Sequence, residues 1–267
     1  MDTRTLTRWQ DLTTEAVADH ARRDAVVVLP LAAIEQHGPH LPLDTDLRIG
    51  LGLLDAAAER LPNDLEPLVL PPMAIATSAE HTRFAGTLSL TPETALAVLR
   101  EIGGAVARAG FRRLVLANSH GGNTAIMELA ALDLRQHHGL LATKHHYFLQ
   151  PLPDTIEIPE RERRHGLHGG LIETAMMRVL APTLVRMDRA QDARSLGEDL
   201  EATSQCLGPT GETAFAWLAD DLHPDGVVGA ADRATPELGR ALIDHYAEGL
   251  ARAITDTAAF PIDRLAR

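Results

Sequence analysis

The feature that most constrains the fold is a continuous apolar run that gives way to a polar cluster. Residues 24–31 read Asp-Ala-Val-Val-Val-Leu-Pro-Leu, and this β-branched pattern is typical of a strand buried on both faces of a parallel sheet. The polar cluster that follows extends from Glu35 to Asp46. Because ligands of open α/β sheets collect beyond the carboxyl ends of the strands, we expect residues 35–46 to line a functional crevice.

Residue types in this cluster indicate metal binding. Glu35, His37 and Asp46 offer two carboxylates and an imidazole, a ligand set that suits Zn²⁺, Mn²⁺ or Fe²⁺. In an extended backbone Glu35 and His37 would point to one side, and the Gly38-Pro39 break allows a turn that returns Asp46 toward them. The alternative interpretation is a polar surface loop after a buried strand.

A second buried-strand pattern also ends in a polar turn. His120 follows it and precedes Gly121 and Gly122, whose backbone can approach a ligand closely. Asn123 is then predicted to cap a helix over residues 125–134. A loop histidine with ordinary hydrogen bonds is the alternative interpretation of His120.

A third cluster surrounds His168 and the residues that follow Gly170. Apolar spacing predicts a helix there, with Glu173 in its first turn. The helix dipole favours a carboxylate at that place whether or not a metal is present. Taken with the other two clusters, Glu173 supplies the missing carboxylate of a five-ligand set.

The remaining pattern alternates strands and helices, which predicts a single α/β domain over residues 1–267 with helices on both faces of a mostly parallel sheet. A helix from Pro92, capped by Thr91, is the clearest element. The segment 192–234 is rich in loops and is compatible with a lid, an oligomer contact or a plain connection. The other predicted elements are helices at 9–22 and 236–254 and strands at 68–76, 113–117 and 140–148.

Composition restricts the partners. Lys and Arg number 25 against 37 Asp and Glu, a net charge of -12, and an acidic surface repels the phosphate backbone of nucleic acids. No apolar stretch approaches the ~18 residues that span a bilayer, so we expect no membrane partner. Cys206 is the single cysteine, which excludes an intrachain disulfide and suits a reducing compartment. We therefore expect a soluble cytoplasmic protein.

Four ordered motifs resemble those of the creatininase (creatinine amidohydrolase) family. The resemblance is to its Gly-Gly branch, which includes the mycofactocin-system creatininase-like peptidase, and it covers nearly the whole chain. The motifs are Glu-Gln-His-Gly-Pro-His-Leu-Pro ending in Asp at 35–46, Ser-x-Glu-His-x-x-Phe-x-Gly-Thr at 78–87, Asn-x-His-Gly-Gly-Asn at 118–123, and His-x-Gly-x-x-Glu-Thr at 168–174.

The resemblance implies a three-layer αβα fold carrying two divalent metal ions, Zn and/or Mn, with Fe as a further candidate. Asp46 would bridge the ions, Glu35 and His120 would bind one, and His37 the other. Creatinine hydrolases carry a glutamate at the position of Gly122, so Glu173 is predicted to take that role here. A homo-oligomer, specifically a hexamer, is also implied.

The implied reaction is hydrolysis of a non-peptide or cyclic amide C–N bond in a small molecule. His168 would protonate the departing nitrogen, and the N–H groups of Gly121 and Gly122 would assist the oxyanion. Glu80 and His81 would contact the substrate or a neighbouring subunit, with a structural salt link as the alternative.

Tryptophans that flank the His168 region in creatinine hydrolases are absent from this sequence, which argues against creatinine as the substrate. Three alternative functions remain open. One is a peptidase that removes a C-terminal dipeptide from a mycofactocin-type precursor, another is a formamide deformylase, and the third is a metal-dependent binder without catalysis.

Overall fold

The computed structural model describes residues 4–265, which are built around a five-stranded sheet. The strands have the spatial order β1-β3-β2-β4-β5, and all neighbouring pairs are parallel. In register, Leu31 at the end of β2 lies opposite Asn118 at the end of β4. The strands are β1 (Thr7–Arg8), β2 (Val26–Leu31), β3 (Leu68–Val69), β4 (Arg113–Asn118) and β5 (Leu141–His146).

Helices connect the strands and follow them along the chain. They are α1 (Thr14–Arg22), α2 (Thr45–Ala58), α3 (Pro92–Arg108), α4 (Thr124–His138), α5 (Glu160–His165), α6 (Leu171–Leu180), α7 (Leu196–Glu201), α8 (Ala219–Leu222) and α9 (Pro236–Ala259). Two small strand pairs lie between α6 and α9 in sequence: β6 (Asp192–Ala193) with β9 (Gly229–Ala230), and β7 (Leu207–Gly208) with β8 (Thr213–Ala214).

Strand β2 separates two hydrophobic cores, because alternate side chains of a strand face opposite sides of the sheet. Val27 and Leu29 pack in the core shared with α3 and α4. Val26 and Val28 pack in the core shared with α2 and α9. Helices therefore cover both faces of the sheet, which confirms the predicted three-layer αβα architecture.

Three element boundaries differ from the predictions for identifiable reasons. The predicted helix 9–22 begins only at Thr14, because the Thr13 side chain accepts a hydrogen bond from the Ala16 N–H and caps it there. The predicted strand 68–76 ends at Val69, close to two prolines that cannot donate to a ladder. The predicted strand 140–148 ends at His146, where a 3₁₀ turn begins.

Among residues 4–265, the longest helices remain too polar to cross a lipid bilayer.

The turn into β2 supports a prediction about stability and pH. Asp24 has a positive φ of 57°, and its carboxylate accepts hydrogen bonds from Arg112 Nη2 at 2.8 Å and Arg113 Nε at 3.0 Å. Burial raises the pKa of Asp24, but the two guanidinium groups outweigh burial and hold it below its ordinary value. The pairing therefore stabilises the fold above the pKa of the unfolded state, and this contribution is lost as pH falls through the lower folded-state pKa.

We expect Asp24→Asn to lower the free energy of unfolding by about 1 kcal/mol near neutral pH, since the pair is partly exposed. Asparagine tolerates a positive φ as aspartate does, so the change removes the charge without adding backbone strain. Chemical denaturation measured from about pH 7 down to about pH 3 should show the difference shrinking with acidity. A difference that stays constant over that range would disprove the ionic explanation.

Candidate metal centre

The predicted site residues come together at the carboxyl edge of the sheet. Glu35 follows β2 and His120 follows β4, and these strands are paired so that both lead to the same edge. Asp46 lies in the first turn of α2, and Glu173 lies in the first turn of α6. The structure thus gathers residues that are separated by more than a hundred positions in the chain.

Asp46 lies between two imidazoles. Its Oδ1 is 3.4 Å from Nε2 of His37, and its Oδ2 is 3.2 Å from Nδ1 of His120. Oε2 of Glu35 is 3.2 Å from Nε2 of His120, and Oε2 of Glu173 is 3.9 Å from Nε2 of His37. The side chains form two groups of metal-ligand spacing that share Asp46: one with Glu35 and His120, the other with His37 and Glu173.

Backbone carbonyls fix which nitrogen of each imidazole is free. Nδ1 of His37 donates to the Glu35 carbonyl at 3.2 Å, which leaves Nε2 to face Asp46 and Glu173. Nε2 of His120 donates to the Thr77 carbonyl at 2.8 Å, which leaves Nδ1 to face Asp46. These bonds are of the kind that orient histidine ligands in metal sites.

Buried ligand atoms without partners show that the site fits cations. Within residues 4–265, Glu35 Oε1 and Oε2, His37 Nε2 and Asp46 Oδ2 are buried and have no hydrogen-bond partner. An unpaired buried polar atom costs free energy, and divalent ions bound at the two groups that share Asp46 would supply partners for these atoms. Oxygen and nitrogen donors of this kind are the usual ligands of Zn²⁺ and Mn²⁺.

The electrostatics of the site also favour positive charge. Burial lowers the pKa of His37, but the carboxylates of Asp46, Glu173 and Glu35 outweigh it and raise the pKa to about 9. For His120, burial is again outweighed, chiefly by Glu35 and Asp46, and the pKa rises to about 10. Burial raises the pKa of Glu35 to about 8, although His120 opposes it. The negative charge of the carboxyl groups therefore favours the protonated form of both imidazoles, and it would equally favour a bound cation.

His168 lies in a stack of three imidazoles. Its ring centroid is 4.2 Å from that of His37 and 4.2 Å from that of His81. Nε2 of His168 donates to the Gln36 carbonyl at 2.7 Å, and its Nδ1 lies 3.7 Å from Oε1 of Glu35. Burial and the neighbouring His37 hold the pKa of His168 well below its ordinary value. A neutral imidazole thus presents a free Nδ1 to the centre, and Glu35, His37 and His168 also form a third group of metal-ligand spacing.

His81 is buried beside the ligands, with 2% of its side chain exposed. Its Nδ1 accepts a hydrogen bond from Gln36 Nε2 at 2.8 Å, and its Nε2 lies 3.3 Å from Oε1 of Glu35. These contacts suit a residue that orients Glu35 and the His168 ring. Glu80, by contrast, faces the cleft with 21% of its side chain exposed, and its Oε1 lies 3.7 Å from His120 Nε2.

Gly122 leaves no room for a side chain in this arrangement. A Cβ atom there would lie 2.5 Å from His120 Nε2 and 2.6 Å from Glu80 Oε1. Gly121 has open space around the corresponding position. Both glycines line the cleft, as expected for residues that admit a ligand close to the backbone.

Asn123 occupies the predicted N-cap position of α4, but its side chain makes no capping bond to that helix. Instead, Oδ1 accepts from the Thr77 N–H at 3.2 Å, and Nδ2 donates to the Ala32 carbonyl at 3.1 Å. Asn123 therefore ties together the loops that carry the site.

Gln36 was not among the predicted site residues, yet it connects several parts of the centre. Its Nε2 donates to His81 and, at 2.7 Å, to the Gly226 carbonyl, and its Oε1 accepts from the Gly38 N–H at 2.9 Å. The one signal for Gln36 in the sequence is its position between two predicted metal ligands, Glu35 and His37. The strand pattern by itself assigns no role to that position.

The centre opens into a cleft of about 1150 Å³. Residues 163–168 and 204–211 line it together with Trp217, besides the residues of the centre itself. Part of the loop-rich segment 192–234 therefore forms a wall of the cleft.

Comparisons with known proteins identify the family that this chain resembles. The family model "Creatininase: Creatinine amidohydrolase" matches residues 10–254. The mycofactocin precursor peptide peptidase of Mycobacterium tuberculosis (strain CDC 1551 / Oshkosh) is 37% identical over 169 residues, so the match spans 61% of this chain and 61% of that protein. The creatinine amidohydrolase of Pseudomonas putida is 31% identical over 188 residues, 64% of this chain and 70% of that protein.

A solved structure has a similar fold over nearly the full length of this chain. A mutant creatininase of the Zn-Zn type superposes with a TM-score of 0.74 at 27% identity, covering 96% of this chain and 99% of that one.

Proposed function

The chain belongs to the creatininase family, and from that premise we propose that it is a metal-dependent hydrolase of amide C–N bonds. Two divalent ions, Zn²⁺ or Mn²⁺, are the proposed cofactors. Glu35, Asp46 and His120 would hold one ion, and His37, Asp46 and Glu173 would hold the other. The observation that carries the proposal is the position of Asp46 between two imidazoles, within a set of buried ligand atoms that lack partners.

Ions bound there would polarise the amide carbonyl and lower the pKa of a water molecule toward neutrality. His168 is the proposed carrier of the proton. Its Nδ1 is free and faces the centre, because Nε2 donates to the Gln36 carbonyl. Nδ1 would accept the proton that the attacking water loses and deliver it to the departing nitrogen. The N–H groups of Gly121 and Gly122 are the proposed additional donors to the oxyanion.

Two substrate classes remain candidates, a small-molecule amide and a peptide. The cleft volume of about 1150 Å³ lies above the roughly 300–1,000 Å³ common for small-molecule sites. It extends from His168 and Glu173 to Trp217 and Cys206, which gives an extended chain room on one side of the scissile bond. This observation favours a peptide, and a relative named as a precursor peptide peptidase supports that choice.

The test is a reconstitution assay. The protein is stripped with a chelator, reloaded with Zn²⁺ or Mn²⁺, and assayed against cyclic amides, ureas, formamides and short peptides, with release of C-terminal dipeptides followed by mass spectrometry. We expect activity to disappear on stripping, to return with metal, and to be highest on peptides. Turnover confined to the cyclic amides would favour a small-molecule amide over a peptide as the substrate. Fully metal-loaded protein that hydrolyses none of these compounds would favour the alternative of a metal-dependent binder without catalysis.

A further inference from the structure

We propose that Glu162 is a positioning residue for the metal centre, because its buried carboxylate fixes the start of helix α6 and so the places of Glu173 and His168. The inference rests on the proposed function, in which Glu173 is a metal ligand. Glu162 lies in the charged stretch Glu160–His165, which by composition alone indicates a solvated helix. In the structure, however, Glu162 is only 4% exposed.

The Glu162 carboxylate joins three segments of the chain. Its Oε1 accepts a hydrogen bond from the Leu171 N–H at 2.7 Å, and its Oε2 accepts from the Ala230 N–H at 2.8 Å. Leu171 is the first residue of α6, and Ala230 belongs to β9. The carboxylate therefore holds α5, α6 and β9 in one arrangement.

Helix α6 depends on this bond because it has no cap of its own. The N-cap residue is Gly170, which has no side chain to accept from the first turn. The first N–H groups of a helix need acceptors, and a carboxylate at that end is also favoured by the helix dipole. The Glu162 side chain, which belongs to α5, supplies the hydrogen-bond acceptor and the negative charge.

The turn that Glu162 holds carries the functional groups. The Gly169 N–H donates to Oε2 of Glu173 at 2.6 Å, so two carboxylates bind successive parts of the turn 168–171. The carbonyl of His168 accepts from the Val228 N–H at 2.9 Å, two residues before the second anchor of Glu162. A shift of Glu162 would thus move His168 and Glu173 together.

Three glycines keep space for the Glu162 carboxylate. A Cβ atom at Gly166, Gly170 or Gly229 would lie 2.2, 2.4 or 2.7 Å, respectively, from Oε1 of Glu162. Burial raises the pKa of Glu162, although its backbone bonds to Ala230 and Leu171 and the charge of Arg161 oppose the shift. Burying a carboxylate costs stability, whereas its two backbone bonds give a defined geometry to the ligand turn.

The test compares Co²⁺ binding by Glu162→Gln with that of a ligand variant and a matched control, and a fourth variant is held in reserve. Glu162→Gln keeps the shape of the side chain but can accept only one of the two backbone bonds. We expect it to bind one of the two Co²⁺ equivalents roughly 10–100-fold more weakly, as for other groups that orient ligands, with a changed Co²⁺ absorption spectrum and a lower kcat at similar KM. Glu173→Gln should lose the same equivalent.

Glu198→Gln is the matched control. Glu198 has a side chain that is 8% exposed. It accepts from the Ser195 N–H at 3.0 Å and from the guanidinium of Arg161, the α5 residue next to Glu162, at 2.7 and 2.9 Å. It makes no bond to α6 among the described contacts, so Glu198→Gln perturbs α5 without removing the bond to α6. It should lower the melting temperature without altering Co²⁺ affinity or the spectrum.

Gly170→Ala provides a second variant if Glu162→Gln folds poorly, because the added methyl would displace the carboxylate while keeping its charge. It should weaken the same Co²⁺ equivalent. Wild-type Co²⁺ affinity and spectrum in Glu162→Gln, or in Gly170→Ala where that variant has to replace it, would overturn the inference and leave the proposed function intact. Retention of both equivalents by Glu173→Gln would instead contradict the proposed ligand set.

Discussion

Replacing Asp46 by Ala is expected to remove both metal ions and to reduce hydrolysis by at least about a thousandfold. Asp46 offers one oxygen to the His37 side of the centre and the other to the His120 side, so neither proposed ion keeps a full ligand set without it. Metal ions supply several kcal/mol of transition-state stabilisation, and each 1.36 kcal/mol corresponds to tenfold in rate.

Elemental analysis after dialysis measures the first effect, and steady-state kinetics on the substrate found by reconstitution measures the second. Asp44→Ala is the matched control, because Asp44 lies two residues earlier and its carboxylate accepts from Arg48 Nε, at 2.8 Å, outside the centre. It should keep both ions and wild-type activity. An Asp46→Ala protein that retains two ions per chain would refute our assignment of the shared ligand.

Much of this centre could be predicted from the sequence because each ligand is placed by local rules. Glu35 and His120 follow runs of buried, mainly apolar residues, and parallel strands deliver such positions to one edge of the sheet. Glu173 lies in the first turn of a helix with clear apolar spacing. The clusters therefore converge because the order of the strands and the positions at which the helices begin bring them to one edge of the sheet.

Contacts that depend on tertiary packing could not be predicted in the same way. Glu162 is charged and has charged neighbours, yet it is buried because three glycines, two close in sequence and one at position 229, leave space for it. Asn123 has the local signature of a helix cap, but its side chain instead bonds to the backbone at Thr77 and Ala32 in two other loops. The wall formed by residues 204–211 likewise comes from a segment without periodicity. The hexamer implied by the family resemblance stays a prediction.

Replacing His168 by Ala is expected to keep both ions and to lower kcat by roughly 10²–10⁴-fold, the usual worth of a general acid–base group. Its Nε2 is engaged by the Gln36 carbonyl, so the chemistry has to use Nδ1, which faces the centre. The two groups that share Asp46 do not include His168, and for this reason its loss should leave metal binding unchanged.

The alternative for His168 is a ligand role, since Glu35, His37 and His168 also have metal-ligand spacing. Metal analysis of His168→Ala separates the two roles, because a ligand role predicts the loss of one ion whereas proton transfer predicts none. The deleted ring leaves a gap between His37 and His81, and added imidazole should fill it and restore part of kcat. His137→Ala, which changes an exposed histidine at the end of α4, should show neither the rate loss nor the rescue. A metal-replete His168→Ala protein with wild-type kcat would remove His168 from the proposed mechanism.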